Sequence, residues 1–214
     1  MVKLLLIRHG ESLSNSGNFL TGRLDVDLTP LGYAQAEATA DFLARTYPLT
    51  GIVSSTLQRA MHTVEPLAER TGLPITPDAG LREIDGGVFE GMNYEMLRRK
   101  YPVEYGHWAA DIGTAFCPGG ESTGGLQLRA EAALRRIGDT FPDRSVLAIG
   151  THAVFIRALM TKWKGLPLSE MKNVPWVPNA SVTEVDYADG CFTIVREGMI
   201  DHLGGMITNI PKGV

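Results

Sequence analysis

An apolar run near the N-terminus, Leu4-Leu5-Leu6-Ile7, ends abruptly at the polar sequence Arg8-His9-Gly10-Glu11. Such a short apolar run predicts a central strand that is covered on both faces. Ligands of α/β sheets bind beyond the C-terminal ends of these strands, so the polar residues are candidate site residues. Arg8 offers donors that match phosphate or carboxylate, and Gly10 lets the backbone approach an anion closely. His9 could be a metal ligand, a base, a nucleophile or simply a hydrogen-bonded histidine at a strand end.

Size and charge narrow the class of protein. A chain of 214 residues with 44% hydrophobic content predicts a single domain over residues 1–214. The net charge of −4 gives no global positive field, so neither nucleic acid nor a membrane surface is an expected partner. Cys117 and Cys191 lie far apart, which argues against a disulfide framework and fits a cytoplasmic location. The N-terminal apolar run is too short for a signal peptide or a membrane span.

Strand and helix patterns alternate along the first half of the chain, which favours a parallel or mostly parallel sheet. Thr29 and Pro30 predict a helix that ends near Tyr47. Its expected apolar face consists of Leu31, Ala34, Ala38, Phe42 and Leu43. A short strand is expected at 51–55, then a helix capped by Thr56 and closed by Gly72, and a further strand at 73–77. The polar segment 12–18 and the glycine-rich segment 81–91 are predicted loops.

The second half contains another buried strand, Val146–Gly150, which again ends at a histidine, His152. A short helix from Asn93 to Lys100 precedes it, and Pro118–Ser122 is predicted to open a helix to about Thr140. Another helix should follow His152 and reach Trp163. Segments 181–187 and 192–197 alternate as the strands of a hairpin around 188–190. Packing alone does not explain why a histidine follows the C-terminal end of each of two buried strands.

Arg59 lies in the first turn of the second predicted helix, just after a strand end. A helix N-terminus favours anions, so Arg59 could share a phosphate with Arg8. The alternative is a solvated surface arginine.

Five separated motifs, taken together, resemble the histidine phosphatase superfamily, also called the phosphoglycerate mutase-like family. The motifs are Arg8-His9-Gly10-Glu11, Ser54–Ala60, Leu81-Arg82-Glu83, Pro118–Ser122 and the strand-borne His152. The resemblance implies a three-layer α/β/α sandwich around a mainly parallel sheet, and a phosphohistidine intermediate on His9. It also implies that Asn15, Thr21, Gly22 and Ala153 line the phosphate or substrate pocket. Ala153 stands where the family often has glycine, but alanine keeps the backbone N–H.

The same residue types explain phosphomonoester cleavage chemically. A neutral imidazole with one nitrogen held by a backbone carbonyl can attack phosphorus with the other, which suits His9. Arg8, Arg59 and a protonated His152 would spread positive charge around the phosphoryl group. Glu83 should have a raised pKa beside a phosphate dianion, so it could protonate the leaving alkoxide and later activate water.

This chemistry needs neither a metal nor a cofactor. A zinc site built on His9 and His152 would require carboxylate or cysteine partners at a spacing that the sequence lacks. The other histidines have simple interpretations, His62 on a helix surface, His107 in a loop and His202 in the C-terminal tail.

The sequence favours hydrolysis over mutase activity. A phosphoglycerate mutase needs extra cations over its site, but segment 108–121 contains no Arg or Lys. Gly86 and Gly87 are expected to leave a more open pocket than the mutase pattern does. Thr21-Gly22-Arg23 is closer to the mutases, so a cofactor-dependent phosphoglycerate mutase is the alternative. An inactive, partner-binding relative is disfavoured, because Arg8, His9, Arg59, Glu83 and His152 are all present.

We therefore expect a metal-independent phosphoric monoester hydrolase of the histidine acid phosphatase type. Its substrate would be a small phosphorylated metabolite, and the C-terminal hairpin offers an edge for a possible homodimer.

Overall fold

The computed structural model describes residues 1–208, which contain one six-stranded sheet. The strands are β1 Val2–Arg8, β2 Gly51–Ser54, β3 Ile75–Pro77, β4 Val146–Thr151, β5 Val182–Ala188 and β6 Cys191–Met199. The helices are α1 Leu13–Gly17, α2 Pro30–Thr46, α3 Gln58–Thr71, α4 Tyr94–Lys100, α5 Pro102–Ala110, α6 Thr123–Thr140 and α7 Ala153–Trp163. Short 3-10 turns lie at Ala79–Leu81, Gly87–Phe89, Leu168–Asn173 and Asp201–Leu203.

The sheet has the order β3-β2-β4-β1-β5-β6. The first four strands in this order are parallel to one another, whereas β5 and β6 form the antiparallel hairpin. The prediction of a mainly parallel sheet is therefore confirmed. β1 and β4 are neighbours in the centre, and Arg8 pairs with Thr151 in their register. Residues 9 and 152 consequently leave the sheet side by side at the same edge.

Helices cover both faces of the sheet, which confirms the three-layer sandwich. Alternate residues of β1 point to opposite sides, since Leu4 and Leu6 belong to one apolar cluster and Leu5 and Ile7 to the other. The first cluster includes Leu126 and Leu134 of α6 with Phe155 and Leu159 of α7. The second includes Leu43 of α2 with Val64 and Leu67 of α3. No helix within residues 1–208 is long and apolar enough to cross a membrane.

The predicted face of α2 is partly wrong, although Thr29 does cap the helix by accepting a hydrogen bond from Gly32. Ala34 is exposed, and the buried side includes Gly32, Gln35 and Ala36. The buried side of α2 differs from the predicted side for a local reason, because the Gln35 Oε1 atom accepts from the Glu11 amide at 2.8 Å. Gly32 also packs on the Glu11 backbone so closely that a Cβ atom would lie 2.0 Å from the Glu11 carbonyl oxygen.

Three other local predictions are wrong. Segment 12–18 is not all loop, because Asn15 Oδ1 accepts from the Ser12 amide and caps the N-terminus of the short helix α1. Helix α3 has Leu57 rather than Thr56 at its N-cap position, and its Gln58 amide donates to an Asp25 oxygen at 2.8 Å. His107 lies on α5, a helix that the sequence did not predict, and not in a loop.

Candidate active site

The two central strands bring His9 and His152 together, with 5.3 Å between their ring centroids. A cavity of about 110 Å³ opens beside them, beyond the C-terminal end of β1. Its walls include Arg8, His9, Arg59 and Glu83, which come from three separate segments of the chain. All five predicted catalytic residues are buried, with His152 fully inaccessible and Glu83 8% exposed. The predicted convergence of these side chains is thus present in the structure.

His9 is held in one tautomer by the backbone. Its Nδ1 atom lies 2.7 Å from the Gly10 carbonyl oxygen, which can only accept, so Nδ1 carries the hydrogen and Nε2 keeps its lone pair. Gly10 is itself fixed, because its amide donates to Thr63 Oγ1 and its carbonyl accepts from Asn179 Nδ2. Burial, followed by the charges of Arg59 and Arg8, lowers the pKa of His9 well below 6.5. The ring is therefore a neutral base with one available nitrogen.

Two arginines supply the positive charge of the cavity. Arg8 Nη1 donates to the Val177 carbonyl at 2.6 Å, while its buried Nε has no partner within residues 1–208. Arg59 is 1% exposed and donates to the carbonyls of Gly22 and Leu24, so it is not a surface arginine. Burial lowers the pKa of each guanidinium to about 10, which leaves both protonated at neutral pH.

His152 Nε2 lies 2.8 Å from Ser55 Oγ, whereas its buried Nδ1 has no partner in the described part of the chain. Burial and then the charge of Arg59 lower its pKa well below 6.5. This favours a neutral ring in the protein alone, whereas the protonated His152 expected from the sequence is that of a site with phosphate bound. A phosphate dianion is the kind of group that would reverse that balance, since an opposite charge stabilises imidazolium.

The carboxylate of Glu83 lies against the N-terminus of α7. Its Oε1 atom accepts from the Phe155 amide and its Oε2 atom from the Val154 amide, both at 3.1 Å. These hydrogen bonds favour the ionised carboxylate, but burial is the larger effect and raises the pKa. The sequence anticipated a raised pKa from a neighbouring phosphate, whereas the structure supplies it by desolvation.

Arg129 fixes the loop that carries Glu83. It donates to the carbonyl oxygens of Gly80, Arg82 and Glu83, and its Nη2 forms an ion pair with Glu121 at 2.9 Å. The Pro118–Ser122 motif therefore acts through Glu121 and Arg129 on the position of Glu83. Sequence reasoning missed Arg129, which looked like one of several charged residues on α6.

Thr21, Gly22 and Ala153 line the cavity, as the resemblance implied. Asn15 does not line it, because its side chain accepts from Ser12 and from Asn179 Nδ2 instead.

Gly86 and Gly87 do not open the pocket, contrary to expectation. A Cβ atom on Gly87, whose φ is +53°, would lie 2.2 Å from the Pro118 carbonyl oxygen. One on Gly86 would lie 2.7 Å from the Leu20 side chain. Both glycines allow close packing of the loops around the cavity.

Several other site residues had no clear signal in the sequence. Ser55, Thr63 and Asn179 orient the histidines, and Tyr94, Trp108 and Trp176 line the cavity. Ser55 lies within a recognised motif, but a serine in such a segment has many possible roles. Within residues 1–208, no group of three or more His, Cys, Asp or Glu side chains is arranged to hold a metal ion.

Comparison with known proteins places this arrangement in context. A family model described as "Histidine phosphatase superfamily (branch 1)" matches residues 4–199. The chain is 34% identical to a glucosyl-3-phosphoglycerate phosphatase of Mycolicibacterium vanbaalenii, over 91% of each chain. It is 30% identical to phosphoserine phosphatase 1 of Hydrogenobacter thermophilus over the full length of both. It is also 32% identical to a probable phosphoglycerate mutase GpmB of Citrobacter koseri, over 95% of each chain.

Among solved structures, Bacillus stearothermophilus YhfR superimposes with a TM-score of 0.89 and 30% identity. The match covers 95% of this chain and 100% of YhfR. The fold and the strand-end histidines are thus found in a chain whose relatives include both phosphatases and mutase-like proteins.

Proposed function

Because this chain belongs to the histidine phosphatase superfamily, branch 1, we propose that it hydrolyses small phosphomonoesters through a phosphohistidine on His9. The observation that carries the proposal is the hydrogen bond from His9 Nδ1 to the Gly10 carbonyl, inside a cavity shared with two arginines. It prepares a neutral nucleophile that can attack without first losing a proton. In the first step, Nε2 forms a bond to phosphorus while the bond from phosphorus to the ester oxygen breaks.

The charge on the phosphoryl oxygens would be met by Arg8, Arg59 and His152. Arg8 Nε and His152 Nδ1 are buried polar atoms that find no partner within the described residues, as expected for groups that bind phosphoryl oxygens. Donors aimed at developing charge in a water-poor site contribute about 3 kcal/mol each to transition-state stabilisation.

Glu83 would protonate the departing alkoxide, so that the leaving group is released as an alcohol. Its raised pKa keeps part of the carboxyl protonated at a higher pH than usual. Once ionised, Glu83 would take a proton from water as that water attacks phosphorus, which regenerates His9 and releases inorganic phosphate. Because the acid form of Glu83 is lost as the pH rises, we propose an enzyme of the acid phosphatase type.

Mutase activity is the second candidate, because mutase-like relatives share about a third of this sequence. A mutase must hold the second anionic group of its substrate, and within residues 1–208 the cavity walls contain no Arg or Lys besides Arg8 and Arg59. Segment 108–121 likewise contains neither residue type. These features support hydrolysis.

A phosphate-release panel with and without 2,3-bisphosphoglycerate and EDTA tests this assignment. We expect hydrolysis that is independent of the bisphosphate and unaffected by EDTA. Mutase turnover faster than hydrolysis would contradict the assignment, and loss of activity in EDTA would contradict metal-free chemistry. The single domain over 1–214, a cytoplasmic location, the lack of nucleic-acid or membrane partners and a possible homodimer stay predictions.

A further inference from the structure

The part of the cavity wall that does not contact the phosphoryl group in the proposed mechanism is strongly apolar. It consists of Phe19, Leu20, Ile84, Tyr94, Trp108, Val154 and Trp176, together with Thr21, Gly22 and Ala153. Aromatic walls bind flat apolar groups well, because each ring buries a large area at little cost in conformational entropy.

Positive charge is absent from this wall within residues 1–208, and nearby cations are already engaged. Arg23 pairs with Asp85 at 3.1 Å and lies 3.6 Å from Glu121. Arg129 pairs with Glu121 and donates to three backbone carbonyls. A second anionic group on a bound ester would therefore exchange part of its hydration for an apolar wall that offers no cationic partner.

Tyr94, whose side chain carries an uncharged hydroxyl, is one of the residues in the wall. Burial, followed by the neighbouring Tyr105, raises the pKa of Tyr94 to about 12, so the phenol stays neutral at physiological pH. A neutral hydroxyl suits an uncharged leaving group that carries oxygen atoms of its own.

Trp176 is fixed in position by two arginines. The Arg157 guanidinium lies 4.4 Å from the Trp176 ring centroid. Arg157 also donates to the Val174 carbonyl at 2.7 Å, and this hydrogen bond holds the segment that precedes Trp176. Arg8 donates to the carbonyl of Val177, the next residue. The ring is thus a preformed wall, and the loop that carries it also positions a cation at the phosphoryl site.

From these contacts we infer that the enzyme selects phosphomonoesters of uncharged alcohols that carry an apolar or aromatic face. The face lies against Trp108 and Trp176, and esters with a carboxylate near the phosphate are poor substrates. This inference rests on the proposed phosphatase activity. It separates the chain from relatives named for glucosyl-3-phosphoglycerate and phosphoserine, whose leaving groups carry a carboxylate.

Two pairs of alkyl phosphates separate the contributions of charge and apolar contact, because all four esters release alkoxides. We expect kcat/KM for 2-phenylethyl phosphate to exceed that for propyl phosphate by about tenfold, the effect of burying an extra apolar group. We expect glycerol 3-phosphate to exceed 3-phosphoglycerate by about tenfold as well. If 3-phosphoglycerate is the better substrate of its pair, or the phenyl group gives no gain, the inference is wrong. Hydrolysis through a labelled phosphoenzyme would still stand in that case.

Variants then test which residues set the preference. Trp176→Leu should reduce the phenylethyl-to-propyl ratio of kcat/KM severalfold, mainly through KM for the phenylethyl ester. Trp163→Leu is the matched control, because Trp163 stacks on Phe192 and does not line the cavity. Phe19→Lys should raise the relative rate on 3-phosphoglycerate by supplying the missing cation. An unchanged ratio in Trp176→Leu would exclude Trp176 as the wall for the leaving group.

Discussion

In the proposed mechanism, the protonation state of Glu83 decides how the leaving group departs. Two amides at the start of α7 stabilise the charge of Glu83, while burial opposes it, and burial is the larger effect. A carboxyl with a raised pKa can protonate the leaving group and be reprotonated at a higher pH than an exposed carboxyl. The position of this carboxyl depends on Arg129, which holds the preceding loop by its carbonyl oxygens.

We predict that Glu83→Gln lowers kcat for alkyl phosphates by about 10² to 10³, the usual contribution of a general acid. The loss should be much smaller for 4-nitrophenyl phosphate, whose leaving group departs without a proton. The fall in rate as the pH rises through the Glu83 pKa should also disappear. Steady-state kinetics across pH measure both effects, with the exposed Glu95→Gln as the control. An equal loss on both substrates would argue against proton donation.

Strand and helix patterns pointed to Arg8, His9, Arg59 and His152 as candidates, because each lies at a strand end or in the first turn of a helix. Glu83 lies in a loop and was a candidate only through the family resemblance. The sequence could not identify the residues that orient these side chains. Asn179 reaches His9 across 170 positions, and Ser55 reaches His152 across 97. Nor could it show that Asn15 would turn to Ser12 rather than the cavity. Contacts of this kind depend on side-chain packing, which no local pattern records.

At the scale of elements, strands were easier to predict than helix faces. Continuous apolar runs identify β1 and β4, but the buried side of α2 depends on where Gln35 and Gly32 meet Glu11. Close approach of elements also depends on single glycines. On α6, a Cβ atom at Gly138 would lie 2.3 Å from the Tyr187 ring of β5, so this glycine sets the distance between helix and sheet.

Gly138→Ala should therefore destabilise the protein by about 1–3 kcal/mol, because the extra methyl group overpacks the contact with Tyr187. Gly124→Ala on the same helix is the matched control. Its added methyl would lie 3.6 Å from Leu168, so its free energy of unfolding should be unchanged or rise by about 0.5–1 kcal/mol. Urea unfolding measures both variants. Equal stability of the two would show that α6 and β5 are not packed as described.

For the whole molecule, burial of two neutral imidazoles in one site makes stability depend on pH. The pKa values of His9 and His152 are lowered well below 6.5 in the folded protein, while the unfolded chain titrates near 6.5. Below that pH the unfolded state binds protons that the folded state does not, so acid favours unfolding. Each such histidine contributes up to about 1.4 kcal/mol per pH unit.

The free energy of unfolding should consequently fall as the pH is lowered from 7.5 to 5.5. His9→Asn should make that fall smaller by about 1.4 kcal/mol, the contribution of one histidine that is protonated only in the unfolded chain. The exposed His107→Asn is the control for removing a histidine that lies outside the site. Urea unfolding at both pH values compares the three proteins. The same slope in wild type and His9→Asn would mean that His9 is not held neutral by burial.

The most direct test is to react the enzyme briefly with a ³²P-labelled phosphomonoester, stop the reaction without acid, and map the labelled peptide. We predict an acid-labile, base-stable phosphohistidine at His9, absent from His9→Ala and retained in His62→Ala, whose histidine lies beside Asp27 outside the cavity. Label that persists in His9→Ala, or that maps to any other residue of wild type, would contradict nucleophilic attack by His9.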